Sequence, residues 1–377
     1  MEIYLDNAAT TLVCPEAADA AYKVMTEIYG NPGSTHKMGR DARAVLDGSR
    51  QQLAAAFGCS AREVFFTSGG TESDNWAILE GAHLRRRVGR HIISSAAEHD
   101  AVRRPLEKLE REGYEITLLT PDSTGAICAD AVREALREDT ALVTLMMVNN
   151  ETGAVTDIAG IARMLRAERS QALFHTDAVQ GFLKEPFSAK MLGADMISVS
   201  GHKIHAPMGI GALYVRQGVR LPAHMLGGGQ EEGLRSGTEP LPQIAAFGEA
   251  ARIAKAAMPE TTERLRALRA QCVRSLTDTV PDIVFLGGGS AHILSLSLPG
   301  YRSEVLMNYL EAKGIFVSKS SACKRGRRSH VLEAMRVPDR VIDGTLRISF
   351  SRYTTAEECA AFCAALAAAR RELYPSL

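Results

Sequence analysis

The sequence predicts an α/β chain: a large domain on a mostly parallel central sheet, followed by a smaller α+β domain. Three observations carry this. From residue 64 to residue 215, short apolar runs alternate with longer amphipathic stretches, the rhythm of strand–helix–strand units. The runs are apolar at successive positions, so helices cover both faces of the sheet. Near residue 255 the alternation gives way to one long helical stretch and scattered short strands. The division reads as residues 12–255 for the large domain, and residues 1–11 with 256–377 for the small one.

In order, residues 64–68 read as a strand (Val64-Phe65-Phe66-Thr67-Ser68), 72–87 as a helix, 91–95 as a strand and 101–112 as a helix. A strand at 115–119, a helix at 129–137, a strand at 141–148 and a helix at 157–168 follow. Strands at 172–176, 195–200 and 211–215 complete the sheet. A helical stretch at 240–278 carries Pro259, which predicts a break there. Strands at 283–286, 293–298, 315–317 and 346–351, with helices at 304–313 and 356–373, make up the rest.

Composition narrows the function. The chain has 377 residues, 46% hydrophobic and 23% charged, with Lys+Arg 44 against Asp+Glu 44. That balance argues against a strongly basic nucleic-acid binder and an acidic disordered chain. The longest apolar run, residues 359–369, is too short to span a membrane. Residues 1–6 show no basic or apolar leader, so the expected compartment is the cytoplasm, with the 7 cysteines as free thiols. Cys359 and Cys363, four apart on an apolar helix, read as small buried side chains, since no further Cys or His stands beside them in sequence.

Chemistry is expected beyond the carboxyl ends of the strands. Five such ends carry suggestive residues. Gly69-Gly70-Thr71 opens a helix and suits a phosphate. His99 suits ring stacking or proton transfer. Asn149 offers an amide after a very apolar strand. Asp177 follows a buried strand, a costly place without a partner, and Gln180 lies one turn on. Lys203 lies in a Gly/Pro-punctuated loop beside Ser200 and His202. Each has an ordinary reading: a turn, a surface histidine, a helix cap, a solvated lysine. Together, a phosphate cradle, a carboxylate for a pyridinium and a lysine for an aldehyde are what pyridoxal 5'-phosphate requires.

With these residues in view, the chain resembles the class V, fold-type I pyridoxal-phosphate enzymes, and within them the group I cysteine desulfurases of the NifS/IscS type. The resemblance runs from Tyr4-Leu5-Asp6-Asn7-Ala8-Ala9-Thr10-Thr11 through Ser200-Gly201-His202-Lys203 to Ser320-Ser321-Ala322-Cys323 and Leu346-Arg347-Ile348-Ser349. It implies that Lys203 is the Schiff-base lysine, that Asp177 pairs with the ring nitrogen and that His99 stacks on the ring. It implies a phosphate site of Gly70, Thr71, Ser200 and His202, with Gln180 facing the ring's phenolic oxygen. Asn149 would lie near ring and substrate, and Arg347 would clamp the substrate carboxylate. Asn31 and His36 match the amino-terminal active-site loop. Thr238 would reach the partner's phosphate in a homodimer with shared sites. Lys203 and His99 are the candidate acid/bases, and Cys323 the nucleophile that takes sulfur from L-cysteine as a persulfide. The sulfur would pass to an acceptor protein for iron–sulfur cluster assembly or for thiolation of RNA or cofactors. No resident metal, membrane contact or direct nucleic-acid contact is expected.

Two departures stand out. Four of the five residues after Cys323 are basic (Lys324, Arg325, Arg327, Arg328), and Arg328 replaces the family's proline; their charge is expected to favour the Cys323 thiolate and an acidic acceptor. His205 follows the Schiff-base lysine where a Tyr or small residue is usual. Two other readings remain: a selenocysteine lyase or another C–S lyase, which would not need Cys323, and a non-catalytic scaffold, which would need none of the cofactor residues.

Overall fold

The structure is a computed structural model that describes residues 2–319 and 328–375. Cys323 and its basic neighbours Lys324, Arg325 and Arg327 lie outside the described residues. In chain order the strands are β1 (Ile3–Tyr4), β2 (Val64–Thr67), β3 (His91–Ser95), β4 (Glu115–Leu119), β5 (Thr140–Thr144), β6 (Leu173–Asp177), β7 (Met196–Ser200), β8 (Gly211–Val215), β9 (Val284–Leu286), β10 (Ile293–Ser297), β11 (Ile315–Phe316) and β12 (Thr345–Ser349).

Seven of them form one sheet in the order β2-β8-β7-β6-β5-β3-β4. Every neighbouring pair is parallel except the two made by β8. All residues of β3, β5, β6, β7 and β8 are buried, which is why those runs are apolar at successive positions. The edge strand β4 is mostly uncovered instead, with Leu118 half exposed and only Leu119 buried. Helices Gly70–Leu84 and Asp100–Arg111 pack Trp76, Ile78, Val102 and Leu106 into one core layer. A larger core around Phe57, Phe174, Phe182 and Phe247 lies on the other face.

A second core draws Ile3 and Leu5 together with Leu265, Leu294, Ile348 and Phe362. Its scaffold is the antiparallel sheet β12-β10-β9 and the parallel pair β1-β11. The chain therefore threads its first residues into the same core as its last hundred.

One expectation fails. The helix Leu241–Thr279 runs through Pro259 without a break. Pro259 lacks the N–H that would bond to the Lys255 carbonyl. Either half is anchored: Ile244, Phe247 and Ala250 in the large core, Leu265, Leu268 and Leu276 in the second. Burial at both ends holds the axis across the missing bond. Helices Pro15–Thr26 and Lys37–Phe57, for which the sequence reading made no assignment, pack against this long helix.

Candidate active site

The carboxyl ends of β3, β6 and β7 meet at a cavity of about 350 Å³. Lys203 follows β7 in a short 3-10 turn (Gly201–Lys203). Its Nζ donates to the carbonyls of Ala8 (2.6 Å) and Ala9 (2.8 Å). The amino-terminal segment thus forms one wall of the cavity. Gln180 strengthens that wall: its Nε2 donates to Ala8 O at 2.8 Å, and its Oε1 accepts from Lys184 Nζ at 3.2 Å.

The cradle at the other end is made by close approach. Gly70 starts the helix Gly70–Leu84, and a Cβ there would lie 2.6 Å from Val179 Cγ2. A Cβ on Gly211 would lie 2.6 Å from the Gly69 Cα. Both positions admit glycine and little else, so β8 and the helix start can close around Thr71, Ser200 and His202. Burial, then the Lys203 and Lys184 charges, push His202 down to about 4, so it is neutral. Its Nδ1 lies 3.2 Å from Thr10 Oγ1.

His99 caps the helix Asp100–Arg111, its Nδ1 accepting from Ala101 N at 3.1 Å. An accepting Nδ1 leaves the ring proton of the neutral form on Nε2. Arg347, on β12 and 2% exposed, brings the second core's sheet to the cavity. One nitrogen donates to Asp6 Oδ1 (2.7 Å) and another to Asn150 O (2.9 Å), which fixes the guanidinium plane. Three of its five N–H groups lie outside these two bonds.

Asp177 ends β6 with Oδ1 accepting from Val179 N at 2.9 Å. Burial raises its carboxyl, opposed by the Val179 bond and the charges of His99 and Lys203. Two more acids lie beneath it. Burial, then Asp177, push Asp74 well above the carboxylate range. Burial does the same to Glu98, whose Oε1 accepts from Met146 N at 3.0 Å. His175, pushed down to about 3 by burial, is neutral beside Asp74. Of the three acids only Asp177 has Lys203 and His99 opposing its burial, so a negative charge costs least there.

Asp74 and Glu98 went unassigned in the sequence reading, as did Asn150, Glu151 and His330. Asp74 had a signal, one helical turn beyond Thr71. Glu151 lines the cavity and bonds Ser329, which caps the helix His330–Ala334. Arg328 makes a two-armed pair with Asp343 (2.8 Å each) and reaches Asp339, so its charge is compensated there.

Among the predicted residues, Gly70, Thr71, His99, Asp177, Gln180, Ser200, His202, Lys203 and Arg347 line this cavity. Asn149 does not. Its amide donates to Ala97 O and accepts from Glu151 N and Thr152 N, so it holds the loop that presents Asn150 and Glu151. Asn31 and His36 are exposed, and their side chains accept from the nearby Gly33 N and Gly39 N. Thr238 is also exposed and outside the cavity. His205 faces a smaller second cavity and bonds to Leu12 O at 2.7 Å.

The class-V aminotransferase family is matched over residues 3–362. The chain belongs to that family. Its members are pyridoxal-phosphate enzymes. The chain is 43% identical over 369 residues to the cysteine desulfurase IscS of Photorhabdus laumondii, covering 95% of this chain and 90% of that one. A solved NifS-like protein superposes with a TM-score of 0.93 at 35% identity, covering 99% of this chain and 100% of that one. A structure described as SspA in complex with cysteine gives a TM-score of 0.79 at 30% identity, covering 94% and 100%.

The Glu98 carboxyl has a consequence for stability. A raised acid holds its proton in the folded chain at pH values where the unfolded chain has lost it. Its contribution is full below the ordinary glutamate value and fades as pH rises toward the raised folded value. Glu98→Gln keeps the acceptor for Met146 N and removes the titration. The variant's urea midpoint is expected to fall less between pH 5 and pH 8 than the parent's. Equal slopes would show that Glu98 is ionised in the fold.

Proposed function

We propose that this chain is a cysteine desulfurase that converts L-cysteine to L-alanine and passes the sulfur to Cys323. The observation that carries the reading is one cavity holding Lys203, Asp177, His99 and Arg347. The donor set fits pyridoxal 5'-phosphate: Gly70, Thr71, Ser200 and His202 for the phosphate, Asp177 for the ring nitrogen, Lys203 for the aldehyde. When bound, that cofactor supplies the electron sink for bond breaking at the substrate Cα and Cβ.

The chain's own groups do the rest. Arg347 binds the substrate carboxylate through the N–H groups that Asp6 and Asn150 leave over. Lys203 Nζ carries the Cα proton. His99 Nε2 exchanges a proton near the substrate sulfur. The Cys323 thiolate attacks that sulfur, the substrate C–S bond breaks, and a proton replaces sulfur on the carbon. Cysteine plus a thiol become alanine plus a persulfide, and no external oxidant enters.

We also propose the two-domain division at residues 12–255 and 1–11 with 256–377, and a homodimer in which Thr238 serves the partner's phosphate site. Thr238 lies outside its own chain's cavity, and apolar side chains are exposed nearby in sequence at Met225 and Leu226 (86%), and at Tyr22, Met25 and Tyr29. Exposed apolar side chains of this kind suit contact with a second copy. A sulfur-acceptor protein would take the sulfur from Cys323.

A single turnover of the holoenzyme with L-cysteine tests the reading. One alanine per site with one sulfur on the Cys323 peptide is expected. Cys323→Ala should yield no protein persulfide and lose alanine formation. A Cys323→Ala enzyme that still turned over cysteine or selenocysteine would mean a C–S lyase.

A further inference from the structure

The second core holds a thiol cluster that the reaction does not use. Cys359 and Cys363, read from sequence as unaccompanied, face Cys272 of the helix Leu241–Thr279 across a cavity of about 190 Å³. The Cys363 Sγ lies 3.9 Å from Cys272 O, and the Cys272 thiol contacts both of the others. All three side chains are buried, at 0%, 1% and 3% exposure for Cys272, Cys359 and Cys363. The cavity itself reaches the surface, for Gln271, Thr279, Ala360 and Ala364 in its wall are exposed. It is roomy enough for several water-sized molecules. Among the described residues no group of three or more His, Cys, Asp or Glu is disposed to hold a metal ion.

We propose that this cavity is an oxidation site for small peroxides, in which Cys363 and Cys272 close a disulfide that staples the helix Leu241–Thr279 to the helix Ala356–Glu372. The pairing follows from the geometry, for the Cys363 thiol reaches the backbone of Cys272. Hydrogen bonds from Cys272 and Ser275 lower the Cys363 thiol, while contacts with Cys359 and Cys363, then burial, raise that of Cys272. Nucleophilic attack needs the thiolate. The Cys363 thiolate takes one peroxide oxygen, the O–O bond breaks, and the released hydroxide leaves as water with the Cys363 proton. The Cys272 sulfur then attacks the Cys363 sulfenic acid, the S–O bond breaks, and a second water leaves with the Cys272 proton. Two thiols give up two electrons, and hydrogen peroxide accepts them. The burial of the three sulfurs excludes a bulky oxidant such as glutathione disulfide.

The test uses the holoenzyme with Cys323→Ala, which removes the thiol of the proposed reaction. Brief hydrogen peroxide should lower the intact mass by two hydrogens and link the peptides carrying Cys272 and Cys363. Dithiothreitol should reverse both, and glutathione disulfide should produce neither. The oxidised form should melt at a higher temperature than the reduced form, because the staple closes a long loop. Cys272→Ala and Cys363→Ala should each abolish the link, and Cys128→Ala should not. If a variant fails to fold, counting alkylatable thiols in denaturant before and after peroxide decides the matter in the Cys323→Ala parent: a loss of two is expected. An unchanged count, an irreversible sulfinic acid, or a link through any other cysteine would overturn the proposal.

Discussion

Lys203→Ala is expected to lose covalent attachment of pyridoxal phosphate and to lower cysteine turnover by about 10²–10⁴-fold, the usual range for removing a positioned acid–base group. The geometry keeps Lys184 from taking its place. Burial with the Lys203 and Arg347 charges pushes Lys184 down to about 7, which favours a free amine, but its Nζ is engaged with Gln180 Oε1 and it does not line the cavity. The variant should fold. Ala8 O keeps its bond from Gln180 Nε2, and Ala9 O, partly buried on the cavity wall, loses one donor at less than the roughly 1–3 kcal/mol of a fully buried acceptor. Borohydride reduction followed by peptide mapping should place the cofactor mass on the Lys203 peptide of the parent and on no peptide of the variant. Turnover within tenfold of the parent would remove Lys203 from the chemistry.

The strands were legible because burial on both faces forces unbroken apolar runs, as in Phe65-Phe66 and Ala141-Leu142-Val143. Their ends were legible because Asp177 is costly where it stands, which points to a partner, and because Lys203 lies in a Gly/Pro-punctuated loop beside Ser200 and His202. What escaped has physical reasons. The helices Pro15–Thr26 and Lys37–Phe57 bury mostly small residues such as Ala17, Gly39 and Ala42, which leave a weak apolar pattern. Asp74 and Glu98 look like solvated acids in the sequence, and only the fold shows them buried and protonated. Asn149 sits where a ligand amide is expected, yet its bonds turn inward to the loop. The Cys272–Cys363 approach joins positions 91 residues apart, a distance no local pattern spans. Pro259 misled because the break it favours is opposed by two separate cores.

Asp177→Asn isolates charge from shape. The amide can still accept the bond from Val179 N, now 2.9 Å from Asp177 Oδ1, and it fills the same volume. Only the negative charge goes. Turnover is expected to fall by about 10²–10³-fold, as when one preorganised electrostatic group is removed from a dry site, while Lys203 stays linked to the cofactor. The reason lies in the surround. Burial pushes the Asp74 and Glu98 carboxyls up and His175 down, so either acid would take over the charge only at a second desolvation cost. A cationic ring nitrogen would then face a neutral amide, and the ring would lose its proton and much of its capacity to accept electrons. The absorption maximum of the bound cofactor should move with the substitution, and cofactor content should not. Activity near the parent level would mean that Asp74 or Glu98 ionises in its place, and Asp177→Asn combined with Asp74→Asn would then identify which. A loss in the single variant, with the cofactor still attached, would assign the ring's charge to Asp177 and give the two further buried acids their place: burial pushes their carboxyls up, so they shape a polar pocket and leave the charge that faces the ring to the carboxylate beside the lysine.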